Sequence, residues 1–355
     1  MKTQLDTPNR EAFERYREAI SCIDRYRASG KREFVEKTES LLDAAHDADP
    51  DWTRPIYLKS IVKDLAGDPQ AAINELEQLK NVSDSSFGLE VKFNLGVAHY
   101  HRYGEEHLNE AETLFEEVKA GTSTSMEPLS ILASSCLAQV YGMRVLLKKP
   151  DEQKNHKAEA EKWYGGCLAE ANEALARLKK WKASKSFKKQ LGENWVAEEI
   201  EWAANNAKGF AGYFWTDHLD PADRIPILNN SISFFRQGLE LRPNHWATLS
   251  NLASVKMRLG YALLAIGKTV EGEKFLAKAL QHIDFLLAEI RPNYAFALYE
   301  RGRILRLSGR FEEAIRSFEA VLRLPPDLRD VSPKTIEPEL ELAKKEETYF
   351  LHKAA

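Results

Sequence analysis

Three cysteines in 355 residues, Cys22, Cys136 and Cys167, stand far apart and form no CxxC pair. An odd, unpatterned set excludes a disulfide framework and a cysteine zinc site, and it suits a reducing compartment. Glycine and proline are few, at 18 and 14 residues, and abundant Ala, Leu, Glu and Lys favour helix throughout. No stretch approaches the ~18 uninterrupted apolar residues of a membrane span, and the opening MKTQLDTPNREAFERYREAI lacks an apolar signal core. The expected location is therefore cytoplasmic, with no membrane partner. A net charge of −4 excludes a general nucleic-acid or membrane-surface binder. The sequence also lacks a P-loop, GxGxxG, GxSxG and HExxH, so neither catalysis nor a cofactor is expected.

Two metal-like patterns fail on their chemistry. Asp47-x-Asp49-x-Asp51 begins like a calcium loop, but Trp52 stands where such a loop needs glycine and no glutamate closes it. His99, His101 and His107 lie close in sequence, yet residues two apart on a helix face different ways. No metal is expected at either.

What the chain does contain is helix in pairs. Apolar positions recur at helical spacing and short loops punctuate them, with no convincing strand. The pairs fall at about 9–28 and 31–47, 54–66 and 69–80, 88–103 and 107–119, 127–147 and 153–181, 194–216 and 224–241, and 245–266 and 269–290. A seventh follows up to Pro326. It begins after Pro292, 34 residues before Pro326, and carries Gly302, Leu305, Gly309, Ala314, Phe318 and Val321 at alternating small and large positions.

That period and those residues resemble the tetratricopeptide repeat (TPR) family, whose unit is a helix–turn–helix of 34 residues. The resemblance is clear over 52–120 and 244–326 and irregular over 125–243, where the helices are longer. It implies an all-α, right-handed superhelical solenoid of about seven helix pairs spanning 1–355 as a single domain. A polar helix at 336–353 would close it, because the end of such an array needs a solvent-facing cap. Three extra residues around Tyr103-Gly104-Glu105-Glu106 depart from the family's turn.

The resemblance also implies a site. The first helix of each TPR pair lines a concave groove that binds a peptide or a partner protein. Carried over, those positions hold Tyr57 in the second pair, and Phe93, Asn94, Tyr100 and His101 in the third. In the sixth they hold Met257, Arg258 and Tyr261, and in the seventh Tyr299, Arg303 and Arg306. Aromatic residues and arginine are the types enriched at binding hot spots, and an amide such as Asn94 both donates and accepts. The competing reading packs the same aromatics between neighbouring helices. Where the family's carboxylate clamp for chaperone tails needs lysine and asparagine, this chain has Tyr57 and Ile61, so that ligand is not expected.

A second candidate is a basic tract. Arg177, Lys179, Lys180, Lys182, Lys185, Lys188 and Lys189 fall within thirteen residues that contain no acid, interleaved with Trp181 and Phe187. Such a run suits an anionic partner, protein before nucleic acid, with Trp181 free to stack or anchor. The bland alternative is a solvated helix end whose cations complement the dipole. The functional expectation is a non-catalytic scaffold or adaptor. Two alternatives stay open: an accessory or regulatory subunit of an enzyme or nucleic-acid-associated complex that uses the tract, and a peptide-sensing regulator.

Overall fold

The computed structural model describes residues 9–29, 32–81, 85–121, 127–148, 150, 156–184, 194–326, 329 and 331–354. They form fifteen α-helices and no strand. In chain order these are α1 Arg10–Ser29, α2 Glu33–Ala48, α3 Arg54–Leu65, α4 Pro69–Leu79, α5 Ser85–Arg102, α6 Glu105–Gly121, α7 Glu127–Leu147 and α8 His156–Ala183. There follow α9 Asn194–Trp215, α10 Pro221–Leu241, α11 Trp246–Ala265, α12 Thr269–Phe285, α13 Ala295–Leu307, α14 Phe311–Arg323 and α15 Pro333–Ala354. The chain divides into two compact units, one of residues 1–140 and 169–200, the other of 141–168 and 201–355.

In the first unit each helix from α1 to α6 packs on the next. Two glycine-linked pairs there show how the turns are made. Between α3 and α4, Gly67 takes φ +89°, its N–H bonds to Asp64 O at 3.0 Å, and Asp68 N–H reaches back to Lys63 O at 2.9 Å. This left-handed cap satisfies carbonyls that the helix end orphans, and only glycine adopts it without strain. Asp68 then caps α4 by accepting from Ala71 N–H at 3.0 Å. The longer α5–α6 turn differs: Tyr103 itself takes φ 59° ahead of Gly104 at φ +92°.

The second unit repeats the same device twice. Gly267 and Gly309 take φ +80° and +74°. Lys268 N–H bonds to Leu263 O and Arg310 N–H to Leu305 O, each at 2.9 Å. Helices α10 to α15 pack in sequence. Close approach of paired helices rests on a second glycine. A Cβ on Gly302 would lie 2.5 Å from the Phe318 ring, and one on Gly96 in the first unit 2.8 Å from Phe115. The ring of the second helix therefore fills the space that glycine leaves on the first.

The extra length of the sixth pair lies in α11, of 20 residues, and in a π-helical turn, Leu286–Ile290, that continues α12. The closing helix α15 starts at Pro333, three residues ahead of the expected boundary. It buries Ile336, Leu340 and Ala343 with Phe318 and Val321 of α14. Its other side is less polar than the sequence suggested, since Leu342 and Tyr349 are exposed, while Phe350 stacks on Phe311 of α14 with ring centroids 5.3 Å apart. Among the described residues, α7 is the one helix long and apolar enough to cross a membrane, and 72% of that stretch is buried inside the fold. Cys22 and Cys167 are buried, and none of the three cysteines is bonded to another.

Candidate partner-binding cleft

Five of the eleven groove candidates meet in the second unit. Met257, Arg258 and Tyr261 from α11, with Arg303 and Arg306 from α13, line one cleft of about 300 Å3 together with Asp217, Arg224 and Leu307. Helix geometry explains the selection. Residues three and four apart share a face, so 257, 258 and 261 present one stripe, as do 303 and 306.

Each arginine is held by neighbours. Arg258 donates to Tyr213 O at 3.1 Å, pairs closely with Asp217, and lies 3.8 Å over the Tyr213 ring. Asp217 sits in a 3-10 turn, Thr216–His218, fastened where Thr216 Oγ1 donates to Tyr213 O at 2.6 Å. Arg303 donates to Glu300 Oε1 at 2.9 Å, and Glu300, only 1% exposed, accepts from Ser254 Oγ at 2.7 Å. That hydrogen bond ties α11 to α13 beneath the cleft. Arg306 bonds to Glu339 at 3.1 Å and to Glu346 at 3.1 Å, both from α15. Arg224 is different. Its Nε donates to Leu219 O at 2.7 Å, and no carboxylate among the described residues pairs with it. Burial pushes the Tyr299 phenol up to about 12 and raises that of Tyr213, so both remain neutral donors.

Exposure sorts these residues further. Tyr261 is 50% exposed, whereas Met257 is 1% and Tyr299 8% exposed. Tyr299 packs against Phe318 with ring centroids 6.0 Å apart, so it belongs to the core that joins α13 to α14. Its expected groove role is corrected accordingly, and Met257 forms the floor of the cleft rather than a projecting anchor.

The first unit gathers the other candidates less openly. Asn94 Nδ2 donates to Tyr57 OH at 2.7 Å and to Glu90 O at 3.0 Å, so both amide hydrogens are engaged within the fold. Arg54 pairs with Glu90 at 2.8 Å and lies 4.1 Å over Phe87, beside Tyr57. Phe93 is 9% exposed and packs on Phe115, which places it between α5 and α6 and not in a groove. His101 meets Asp64 at 2.9 Å, and Tyr100 lies beside Tyr103 with centroids 6.4 Å apart. His99 and His107, set aside on spacing, do meet, with Nδ1 atoms 3.0 Å apart; burial lowers the His99 pKa. No group of three or more His, Cys, Asp or Glu fit to hold a metal occurs among the described residues.

The basic tract is reshaped by its helix. Trp181 is 2% exposed and packs with Ile131, Ala174, Leu178, Ala197 and Ile200, so it is a core residue and not a stacking platform. Arg177 turns inward to Ser130 Oγ at 3.0 Å and Glu173 at 3.7 Å. Lys179, Lys180 and Lys182 remain exposed, while Lys185, Phe187, Lys188 and Lys189 lie outside the described residues. Spacing carried the signal for Trp181: Ala171, Ala174, Leu178 and Trp181 recur at three and four on one face. Asp217, Arg224, Glu339 and Glu346 were not anticipated. Of these only Glu339 and Glu346, seven apart on a predicted helix, had a pattern to find.

The tetratricopeptide repeat sequence model matches residues 250–327, which span most of α11 through α14. Among solved structures, a tetratricopeptide repeat protein from Parabacteroides merdae is 13% identical; the match covers 93% of this chain and 99% of that one, with a TM-score of 0.52. A signal-transduction ATPase with numerous domains and a tetratricopeptide repeat sensor, from Pyrococcus horikoshii, is 12% identical. That match covers 99% of this chain and 54% of that one at a TM-score of 0.43. No curated protein matches the sequence. The first likeness shows the fold alone. Repeat spacing, turn geometry and the matched segment agree: the fold is a TPR-like α-solenoid, and residues 250–327 carry tetratricopeptide repeats.

Proposed function

We propose that the protein is a non-catalytic interaction scaffold that receives an extended segment of a partner protein in the cleft between α11 and α13. The observation that carries this reading is the convergence of Met257, Arg258, Tyr261, Arg303 and Arg306 on one cleft within the tetratricopeptide segment. Tetratricopeptide folds serve generally as protein-interaction scaffolds, and this cleft has the parts such a role needs. Tyr261 offers a half-exposed aromatic, Met257 an apolar floor, and Arg224 a guanidinium with no carboxylate of its own. The arginines around them are already fixed by Asp217, Glu300, Glu339 and Glu346, so binding orders little of the receptor. A cytoplasmic setting fits the unpaired cysteines and belongs to the same proposal.

The test is affinity capture from the native host with wild type and a Tyr261→Ala/Arg224→Ala variant, both checked by circular dichroism. Those two side chains reach the cleft without holding the fold, whereas Phe93 and Tyr299 are structural. Loss of a captured protein in the variant supports the cleft. Equal capture by both moves the interface elsewhere.

A further inference from the structure

His99, near the end of α5, is 7% exposed, and its Nδ1 lies 3.0 Å from Nδ1 of half-buried His107 in the first turn of α6. Two imidazoles bond in this way only when one Nδ1 carries a hydrogen and the other is bare. The contact therefore suits a pair with no charge or with one. A second proton sets two N–H groups and two like charges against each other, and the bond breaks.

The pair clasps an unusual turn. Among the described residues Tyr103 is the one non-glycine residue at positive φ, 59°, a conformation that crowds the Cβ of any L residue. It stands midway between the two histidines. The Gly67, Gly267 and Gly309 turns each close with a backbone bond of 2.9 Å, whereas the Tyr103 amide reaches Tyr100 O at 3.4 Å. A side-chain bond from four residues before Tyr103 to four residues after it thus holds a strained turn shut. Charges face the pair from the helices packed on α5. Glu110 of α6 and Glu77 of α4 favour a proton on His99, while His107 and Lys80, just beyond α4, oppose it. Burial opposes it most strongly, so His99 takes its proton below the ordinary 6.5. His101 turns instead to Asp64 of α3 at 2.9 Å and lies outside the pair.

We propose that the His99–His107 bond is an acid-released latch on the α5–α6 turn, closed at neutral pH and opened when both rings are protonated. On release the two imidazolium groups repel, His99 leaves its buried place for water, and Tyr103 is free to leave the left-handed region. The sign follows from the buried ring. His99 is harder to protonate in the closed form than in the open one, so opening takes up a proton. The latch contributes its full stability above 6.5 and loses it as pH falls below that value. It shares no residue with the cleft, so the two ideas stand or fall separately.

Hydrogen–deuterium exchange of the full chain tests it, read by mass spectrometry from about pH 7.5 down to about pH 5 and corrected for the intrinsic pH dependence of exchange. Protection of the α5–α6 turn should fall by up to about tenfold per pH unit below 6.5, the slope of one proton, while the Gly267 turn keeps its protection. His107→Gln cannot charge, yet its amide oxygen still accepts from a protonated His99, so its protection should not change with pH. His101→Gln should keep the wild-type slope. Flat protection in wild type, an equal fall in His107→Gln or at the Gly267 turn, or loss of the slope in His101→Gln overturns the proposal.

Discussion

Replacing Glu300 with alanine removes a carboxylate that is buried where α11 meets α13, the one buried carboxylate among the described residues. Two interactions go with it, the 2.7 Å bond from Ser254 Oγ and the 2.9 Å pair with Arg303. Breaking a buried pair by deleting one partner costs about 3–5 kcal/mol, because the other charge is left uncompensated. Here Arg303 keeps 28% side-chain exposure and has Glu339 at 3.6 Å. Water and the second carboxylate offset part of the loss, and the expected destabilisation is about 2–3 kcal/mol. Deleting both partners as Glu300→Ala/Arg303→Met should recover part of that, with a coupling energy of about 1–3 kcal/mol in the double-mutant cycle completed by Arg303→Met. Urea unfolding followed by far-UV circular dichroism measures each corner. A loss below about 0.5 kcal/mol for Glu300→Ala would show that this contact does not hold the two helices together, and the reasoning fails.

Four further outcomes follow from single residues. Gly302→Ala should cost about 1–3 kcal/mol in the same unfolding assay, because its Cβ would meet the Phe318 ring. Gly267→Ala meets nothing within 4 Å, so its cost of about 1–2 kcal/mol should come from the left-handed backbone alone. Trp181→Ala should lose about 3–5 kcal/mol, whereas exposed Lys180→Ala should stay within about 0.5 kcal/mol, by denaturant midpoint at constant slope. Lys256 is held at about 8 in the fold against 10.5 for an ordinary lysine, so the folded state is penalised at pH values below 8 and relieved as pH rises towards 10.5. Lys256→Met should therefore be more stable than wild type at pH 7, by roughly 1–3 kcal/mol, with the advantage gone near pH 10.

The helix pairs were legible because each boundary carries its own chemistry. Gly67, Gly267 and Gly309 end first helices in a conformation that other residues avoid, and Pro69 opens α4 where its missing N–H costs nothing. The site was legible only in part, since the first helix of a pair buries two faces and leaves a narrow stripe between them. One position is a 100° rotation, enough to send Phe93 onto Phe115 while Asn94 turns to Tyr57. The acidic partner of Arg258 was hidden for another reason. Asp217 comes from a separate element, and no local pattern marks a charge that becomes meaningful through a distant partner. His99 and His107 show the same effect, eight residues apart in sequence and 3.0 Å apart in space.

The most direct test of the cleft is photo-crosslinking in the native host with a benzoylphenylalanine placed at position 261 and, separately, at position 270. Tyr261 lines the cleft and is half-exposed, whereas Val270, on α12, is 79% exposed and does not line it. A partner protein trapped from position 261 and not from 270 is the result expected of a receptor cleft between α11 and α13. The same protein trapped from 270 and never from 261 would contradict it.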